Sequence, residues 1–252
     1  MCVAAVAWHA HPDWQLIAIG NRDEFHDRPA APLARWDETP EIIAGRDLKS
    51  QGTWLGVSEQ GRFVLVTNRR GFGDPDPALA SRGKLVTDML AGAGKYAEPG
   101  VDRLRYFNPF NLIAVAAGKA HFLSNRPEPV HSALLHGIYG VSNGALDEPW
   151  PKTLSLKAAL LDWLNEPGDE PEPLFAALAN ETCSDVGLHP DQPSDISAEA
   201  LETAPFIRNP VYGTRCSTVV MVNREGAGRI LERRFNAAGE ITGGTDLRFR
   251  WP

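Results

Sequence analysis

MCVAAVAWHAHPDWQLIAIGNRDE, residues 1–24, is the stretch from which the fold can be deduced. Residues 3–8 and 14–19 are apolar runs, and the segment between them contains the turn residues Pro12 and Asp13. Two such runs around a turn predict an antiparallel β-hairpin. Apart from Gln15, neither run alternates with polar residues, which is typical of strands covered on both faces. The stretch therefore predicts a hairpin buried inside a layered structure.

The polar residues at the ends of this hairpin are the ones that could take part in a reaction. Cys2 begins the first strand, and Arg22 and Asp23 end the second, so antiparallel pairing brings them together. If Met1 is removed, which a small second residue permits, an α-amine of pKa about 7.7–8.0 lies beside a thiol of pKa about 8.5. One residue then supplies both a nucleophile and a base, and a nearby guanidinium favours the thiolate. We therefore predict Cys2 to be an N-terminal nucleophile, with the Arg22-Asp23 pair beside it.

The rest of the chain alternates groups of strands with groups of helices. Further hairpins are predicted over residues 52–67 and 110–124, and a final meander over 217–248; Asn68 and Asn143 each follow a strand. The remaining assignments are helices at 81–90, 96–107, 151–165 and 173–180, a Pro-rich loop at 28–32 and a long surface loop at 183–205. This order predicts one α+β domain, residues 1–252, with two stacked, mainly antiparallel sheets and helices outside them.

Composition restricts the partners of the protein. The 252 residues carry a net charge of −7 and are 43% hydrophobic, which argues for a folded protein that does not bind nucleic acid. No apolar run approaches the ~20 residues that span a bilayer, and the N-terminus lacks the basic region of a signal peptide. The three cysteines, Cys2, Cys183 and Cys216, form neither a disulfide framework nor a CxxC metal motif. We expect a cytoplasmic protein that acts on a small molecule and inserts into no membrane.

Several motifs in fixed order carry a family resemblance. They are Cys2, Asn21-Arg22-Asp23-Glu24-Phe25 with Arg28-Pro29, Gly45-Arg46-Asp47-Leu48, Gly52-Thr53-Trp54-Leu55-Gly56, Thr67-Asn68, Arg82-Gly83, Tyr139-Gly140-Val141-Ser142-Asn143 and Tyr212-Gly213-Thr214-Arg215. Together they resemble the NRDE family, also called the transport and Golgi organisation 2 family, from residue 2 to about residue 223. This family is similar to N-terminal nucleophile (Ntn) hydrolases, which implies a four-layer αββα sandwich.

The cysteine branch of those hydrolases, the bile-salt hydrolases and penicillin V acylases, implies roles for individual residues. By this resemblance Cys2 attacks an amide carbonyl, and Arg22 and Asp23 orient the amine and the thiolate. Asn68 and Asn143 bind the oxyanion or the amine, and Arg215 adds positive charge. The acylases have a different order of residues at the Asn-Arg-Asp-Glu position, so the contact with Cys2 can fall to Arg22, Asp23 or Glu24. The implied activity is hydrolysis of a non-peptide C–N bond, for which no cofactor is required.

Two other functions compete with this one. The NRDE family, which this sequence resembles, is linked to haem handling and lipid metabolism. This link implies a non-catalytic protein that binds haem or an acyl ligand on the same scaffold. Residues 140–144 match the GxSxG nucleophile elbow, which implies a serine esterase using Ser142. That elbow leads from a strand directly into a helix, whereas here Asp147-Glu148-Pro149 follows, so the esterase is the remotest of the three functions.

Overall fold

The computed structural model describes residues 2–166, 168–183 and 203–252. Its strands are β1 (Cys2–Trp8), β2 (Trp14–Phe25), β3 (Ala30–Trp36), β4 (Thr39–Asp47), β5 (Leu55–Ser58), β6 (Arg62–Asn68), β7 (Phe110–Ala116), β8 (Lys119–Ser124), β9 (Val130–Leu134), β10 (Gly137–Val141), β11 (Tyr212–Asn223), β12 (Ala227–Phe235) and β13 (Ile241–Arg250). The helices are α1 (Arg82–Ala91), α2 (Pro151–Asn165) and α3 (Glu172–Leu178), with a 3-10 helix at Val101–Tyr106. None of these helices is both long and apolar enough to cross a membrane.

The strands form two antiparallel sheets. The six-stranded sheet has the order β10-β1-β2-β11-β12-β13, and the seven-stranded sheet has the order β3-β4-β5-β6-β7-β8-β9. The predicted first hairpin is present as β1 and β2, with Val6 opposite Ala18 and Cys2 opposite Arg22. β2 also pairs with β11, so the hairpin lies inside the six-stranded sheet and not at its edge.

Three separate apolar interfaces divide the molecule into four layers. Ala4, Val6 and Trp8 of β1 point into a core between the two sheets. The alternate residues of β1, Val3 and Ala5, point into a second core beneath α2 and α3. A third core lies between the seven-stranded sheet and α1 together with the 3-10 helix. The predicted αββα sandwich is therefore confirmed, and burial on both faces explains why the first hairpin is continuously apolar.

The local structure differs from the sequence prediction in two places, and a third prediction lies mostly outside the described residues. The segment predicted as a Pro-rich loop passes into β3, which contains Pro32; β3 is an edge strand, where a residue without an N–H group is tolerated. The helix predicted over 96–107 is only the 3-10 helix that follows Pro99 and Gly100. Most of the long loop predicted over 183–205, namely residues 184–202, lies outside the described residues.

Candidate active site

Cys2 lies where the hairpin meets the rim of the sandwich. Its Cα is paired with that of Arg22, and it shares the face of β1 that carries Ala4 and Val6 toward the seven-stranded sheet. The residue is half-buried and its thiol is free. Burial raises the pKa of the Cys2 thiol, so the sulfur is not intrinsically a thiolate at neutral pH.

A cleft of about 250 Å³ opens beside Cys2, between the ends of β2, β4 and β6 and the start of α1. We call it the Cys2 cleft. The charged and polar residues and the tryptophan that line it include Cys2, Arg22, Asp23, Glu24, Arg28, Asp47, Trp54, Asn68, Asp76 and Arg82. Three of the predicted site residues besides Cys2, namely Arg22, Asp23 and Asn68, therefore share one cavity with it.

Arg22 forms its ion pair across the two sheets and not with its neighbour Asp23. Its Nη2 donates to Oδ2 of Asp47 at 3.0 Å, and its guanidinium lies 4.8 Å from the ring centroid of Trp54. Successive side chains of a strand point to opposite faces, which separates the side chains of Arg22 and Asp23. Nη1 of Arg22 is buried and has no hydrogen-bond partner among the described residues. One donor of the guanidinium is therefore left for another acceptor.

Asp47 is held ionised by several donors. Nη2 of Arg28 donates to its Oδ1 at 3.2 Å, and the backbone N–H groups of Lys49 and Ser50 donate to the same oxygen at 3.1 and 2.8 Å. Burial alone would raise the pKa of Asp47, but the bonds from Arg28 and Ser50 and the charge of Arg22 together hold it below its ordinary value. Asp47 is thus a fixed anion that orients both arginines.

Asp23 belongs to a second charged group, on the helix side of the sheet. Thr214 Oγ1 donates to Asp23 Oδ1 at 2.7 Å, and the side chain of Asp23 interacts with the ammonium of Lys152 in α2. Burial raises the pKa of Asp23 to about 6 and lowers the pKa of Lys152 to about 8. The backbone N–H of Asp23 also interacts with the Cys2 sulfur and favours its thiolate form. Asp23 therefore contributes its main chain to the nucleophile and its carboxylate to a buried polar cluster.

The two asparagines lie together but occupy different environments. Asn68 is exposed at the end of β6 and lines the Cys2 cleft. Asn143 is fully buried, and its Nδ2 donates to the backbone carbonyl of Asn68 at 2.6 Å. Beside it, Ser142 Oγ donates to the carbonyl of Cys2 at 2.9 Å. Asn143 and Ser142 thus support the backbone of the two strands whose ends carry Asn68 and Cys2.

Arg215 lies next to the site and not among the described residues that line the cleft. It occupies a bulge of β11, between Thr214 and Cys216, which re-aims its side chain. Its Nη1 donates to the backbone carbonyls of Phe25 at 2.7 Å and Arg28 at 3.0 Å. Arg215 therefore fixes the turn that follows β2, and Arg28 in that turn reaches Asp47.

The sequence assigned no role to three residues that the fold brings to the site. Asp47 and Arg82 stand within the motifs that carry the family resemblance, which is the signal that could have identified them. Lys152 follows the helix-starting Pro151 and has no motif around it; only the docking of α2 on the sheet places it near Asp23. No cluster of three or more His, Cys, Asp or Glu side chains that could hold a metal ion occurs in the described part of the chain.

The chain matches the family model for Transport and Golgi organisation 2 over residues 1–237. It is 31% identical over 265 residues to the human Transport and Golgi organization protein 2 homolog, and 29% identical over 259 residues to the mouse Transport and Golgi organization 2 homolog. Each of these alignments covers 92% of both chains. The chain therefore belongs to the Transport and Golgi organisation 2 family, and the predicted family membership is confirmed.

The chain is similar to a Caenorhabditis elegans ortholog of N-acylethanolamine-hydrolyzing acid amidase, with a TM-score of 0.49 and 12% sequence identity. The superposition covers 86% of this chain and 92% of that chain.

Proposed function

We propose that this protein hydrolyses a non-peptide amide bond of a small acylated substrate, with Cys2 as the N-terminal nucleophile after Met1 is removed. The observation that carries the proposal is the placement of Cys2: it lies opposite Arg22 in the hairpin register and lines a cleft with the Arg22–Asp47 ion pair.

The chemistry begins with a proton transfer. Since burial raises the pKa of the Cys2 thiol, a base must remove its proton, and the α-amine of the processed Cys2 is on the same residue. The thiolate attacks the amide carbonyl, the C–N bond breaks, and the ammonium returns its proton to the departing amine. Water then attacks the thioester, releasing a carboxylate and restoring the thiol. The overall reaction converts one amide and one water into a carboxylate and an amine.

Two groups of the cleft are suited to the negative charge that develops on the carbonyl oxygen. The side chain of Asn68 lines the cleft and carries two N–H groups. Nη1 of Arg22 is the second donor, since it is buried and lacks an acceptor among the described residues. One preorganised donor of this kind lowers a barrier by about 2.7–4 kcal/mol. The volume of about 250 Å³ lies just below the range of about 300–1,000 Å³ that is typical of ligand sites, and this favours a small substrate.

The test starts with the intact mass of the active protein, which should correspond to a chain beginning at Cys2. Release of amine from a panel of N-acyl substrates is then followed for the wild type, Cys2→Ala and Cys183→Ala. We expect Cys2→Ala to lose turnover and Cys183→Ala, which removes a thiol outside the lining of the cleft, to keep it. Met1 retained on all active protein, or unchanged turnover in Cys2→Ala, would refute the proposal.

Haem titration of the same variants addresses the binding alternative. A saturable Soret band that persists in Cys2→Ala, together with no amide turnover in the wild type, would favour a haem-binding protein instead. Labelling of Ser142 by a fluorophosphonate, with loss of activity, would favour the esterase.

A further inference from the structure

Most of the charges that line the Cys2 cleft are paired. Arg22 and Arg28 both bind Asp47, and Nε of Arg28 also lies 3.6 Å from a carboxylate oxygen of Glu24. These two cations and two anions form one closed network. A charged ligand that bound to Arg28 or Asp47 would therefore have to compete with these existing ion pairs.

Two charged residues of the lining make no ion pair in the described part of the chain. One is Asp76, whose Oδ1 accepts from the backbone N–H of Ala78 at 2.8 Å, and the other is Arg82. Arg82 is the first residue of α1, is half-buried, and lines the cleft with Cys2. Its Nη1 donates to the backbone carbonyl of Pro109 at 3.0 Å, and in the described part of the chain it makes no ion pair with a carboxylate. Arg82 shares the lining of the cleft with Cys2, and its charge interacts with the Cys2 thiolate and with the Glu24 carboxylate. Arg82 thus brings to the cleft a guanidinium that forms no ion pair with a carboxylate of the described residues.

The backbone around Arg82 is fixed by a close contact between two glycines. A Cβ on Gly52 would lie 2.3 Å from the carbonyl carbon of Gly83, so any larger residue would push α1 away from the β4–β5 connection. The backbone N–H of Thr53 donates to the carbonyl of Gly83 at 3.4 Å across the same contact. Because the start of α1 is held in this way, the guanidinium is positioned before a ligand arrives.

We propose that Arg82 binds an anionic group of the substrate, a carboxylate or a phosphate, so that the site selects N-acylated amines that carry a negative charge. N-Acyl amino acids are the simplest members of this class. The inference rests on the proposed function for the reacting amide, and it adds the recognition of a charge elsewhere in the substrate. A guanidinium presents a planar set of donors that matches a carboxylate or a phosphate in two parallel hydrogen bonds.

The experiment compares three ligands that share one acyl chain. N-Hexanoylglycine carries a carboxylate, N-hexanoylglycinamide is its neutral analogue, and the phosphate ester of N-hexanoylethanolamine supplies the other anion. Binding is measured by calorimetry in the Cys2→Ala protein, which lacks the nucleophile, and turnover is measured in the wild type. We expect at least one anion to bind about ten to a hundred times more tightly than the neutral amide, the range for a hydrogen bond to a charged group. Which of the two anions binds better distinguishes a carboxylate from a phosphate site.

Arg82→Gln, made in the Cys2→Ala protein, should remove this preference, and Arg82→Lys should keep part of it. Arg103→Gln removes the same charge from the exposed 3-10 helix and should leave the preference unchanged. Equal affinity for charged and neutral ligands, no binding of any of them at millimolar concentration, or a preference that survives in Arg82→Gln would overturn the inference. If Arg82→Gln does not fold, the affinities of the charged and neutral ligands for protein that retains Arg82 still test the inference.

The two proposals fail in different ways. Binding of an anion that depends on Arg82, without turnover in the wild type, refutes hydrolysis and supports the role of Arg82. Equal turnover of the charged and neutral amides supports hydrolysis and refutes the role of Arg82.

Discussion

The Arg22 guanidinium and the Asp47 carboxylate form a buried ion pair, with 3.0 Å between Nη2 and Oδ2, that joins the six-stranded sheet to the seven-stranded sheet. Arg22 belongs to the strand that pairs with Cys2, and Asp47 ends β4 on the opposite sheet. The pair therefore fixes the distance between the sheets at the point where the nucleophile lies. The stability of the fold and the shape of the cleft depend on the same contact.

Removing the anion of this pair should be costly. Asp47→Ala leaves the buried charge of Arg22 without compensation, and we expect it to lower the free energy of unfolding by about 3–5 kcal/mol. The matched control is Asp246→Ala, which breaks an exposed pair with Arg229 and should cost at most about 1 kcal/mol. Urea unfolding of both variants measures the difference. Equal costs would show that Asp47 contributes no more than a surface charge.

The two asparagines should respond differently to truncation. Asn68→Ala removes an exposed amide from the cleft but keeps the backbone carbonyl that Asn143 binds, so kcat should fall by about 10²–10³ with little change in stability. Asn143→Ala removes a buried amide and leaves that part-buried carbonyl without its donor, and it should cost about 1–3 kcal/mol of stability. Steady-state kinetics and thermal unfolding of both variants test this. A stable Asn143→Ala protein with the larger loss of kcat would reverse the assignment.

The raised pKa of Asp23 predicts a pH dependence of stability. Its pKa is about 6 in the folded protein and 3.8 for an ordinary aspartate, so the folded state binds more protons between these values. This group therefore makes the protein less stable as the pH rises from about 4 to about 6, by a total on the order of 2 kcal/mol. The Asp23→Asn variant has no carboxyl to titrate at this position and does not lose this stability. Its free energy of unfolding relative to that of the wild type should therefore increase from pH 4 to pH 6.

Urea unfolding at several pH values between 4 and 7 measures the effect as a difference between variant and wild type. Glu172→Gln is the control of opposite sign, because the hydrogen bond from Arg233 holds the pKa of Glu172 below its ordinary value. A difference between Asp23→Asn and the wild type that stays constant from pH 4 to pH 7 would contradict the raised pKa.

The glycine contact that positions α1 can be tested with one methyl group. Gly52→Ala would bring a Cβ to 2.3 Å from the carbonyl carbon of Gly83, and we expect a loss of about 1–3 kcal/mol of stability from the forced displacement of the helix. Gly100→Ala is the matched control, since it has an ordinary φ of −62° and no atom within 4 Å of its added Cβ. It should be neutral or stabilising by up to about 1 kcal/mol. Thermal unfolding that ranks the two variants in the opposite order would contradict the contact.

The local features of the fold were accessible from the sequence because they depend on residues close together in the chain. Continuous apolar runs around Pro12 and Asp13 predicted the first hairpin, and hairpin pairing predicted that Cys2 lies beside the Arg22-Asp23 pair; the register then places it opposite Arg22. Edge strands were harder to predict. The sequence around Pro32 carries the signals of a loop, and it is a strand only because its neighbour β4 supplies the pairing.

The sequence by itself determined the layered fold, the position of Cys2 at the end of a buried strand and its proximity to Arg22, since apolar periodicity and turn residues specify these features. Only the tertiary structure decided which charges meet. The partner of Arg22 is Asp47 and not Asp23, because neighbouring side chains of a strand point to opposite faces and Asp47 approaches from the other sheet. Arg82 and Lys152 reach the site from helices in the two outer layers, and no local pattern encodes the distance across a packed sandwich.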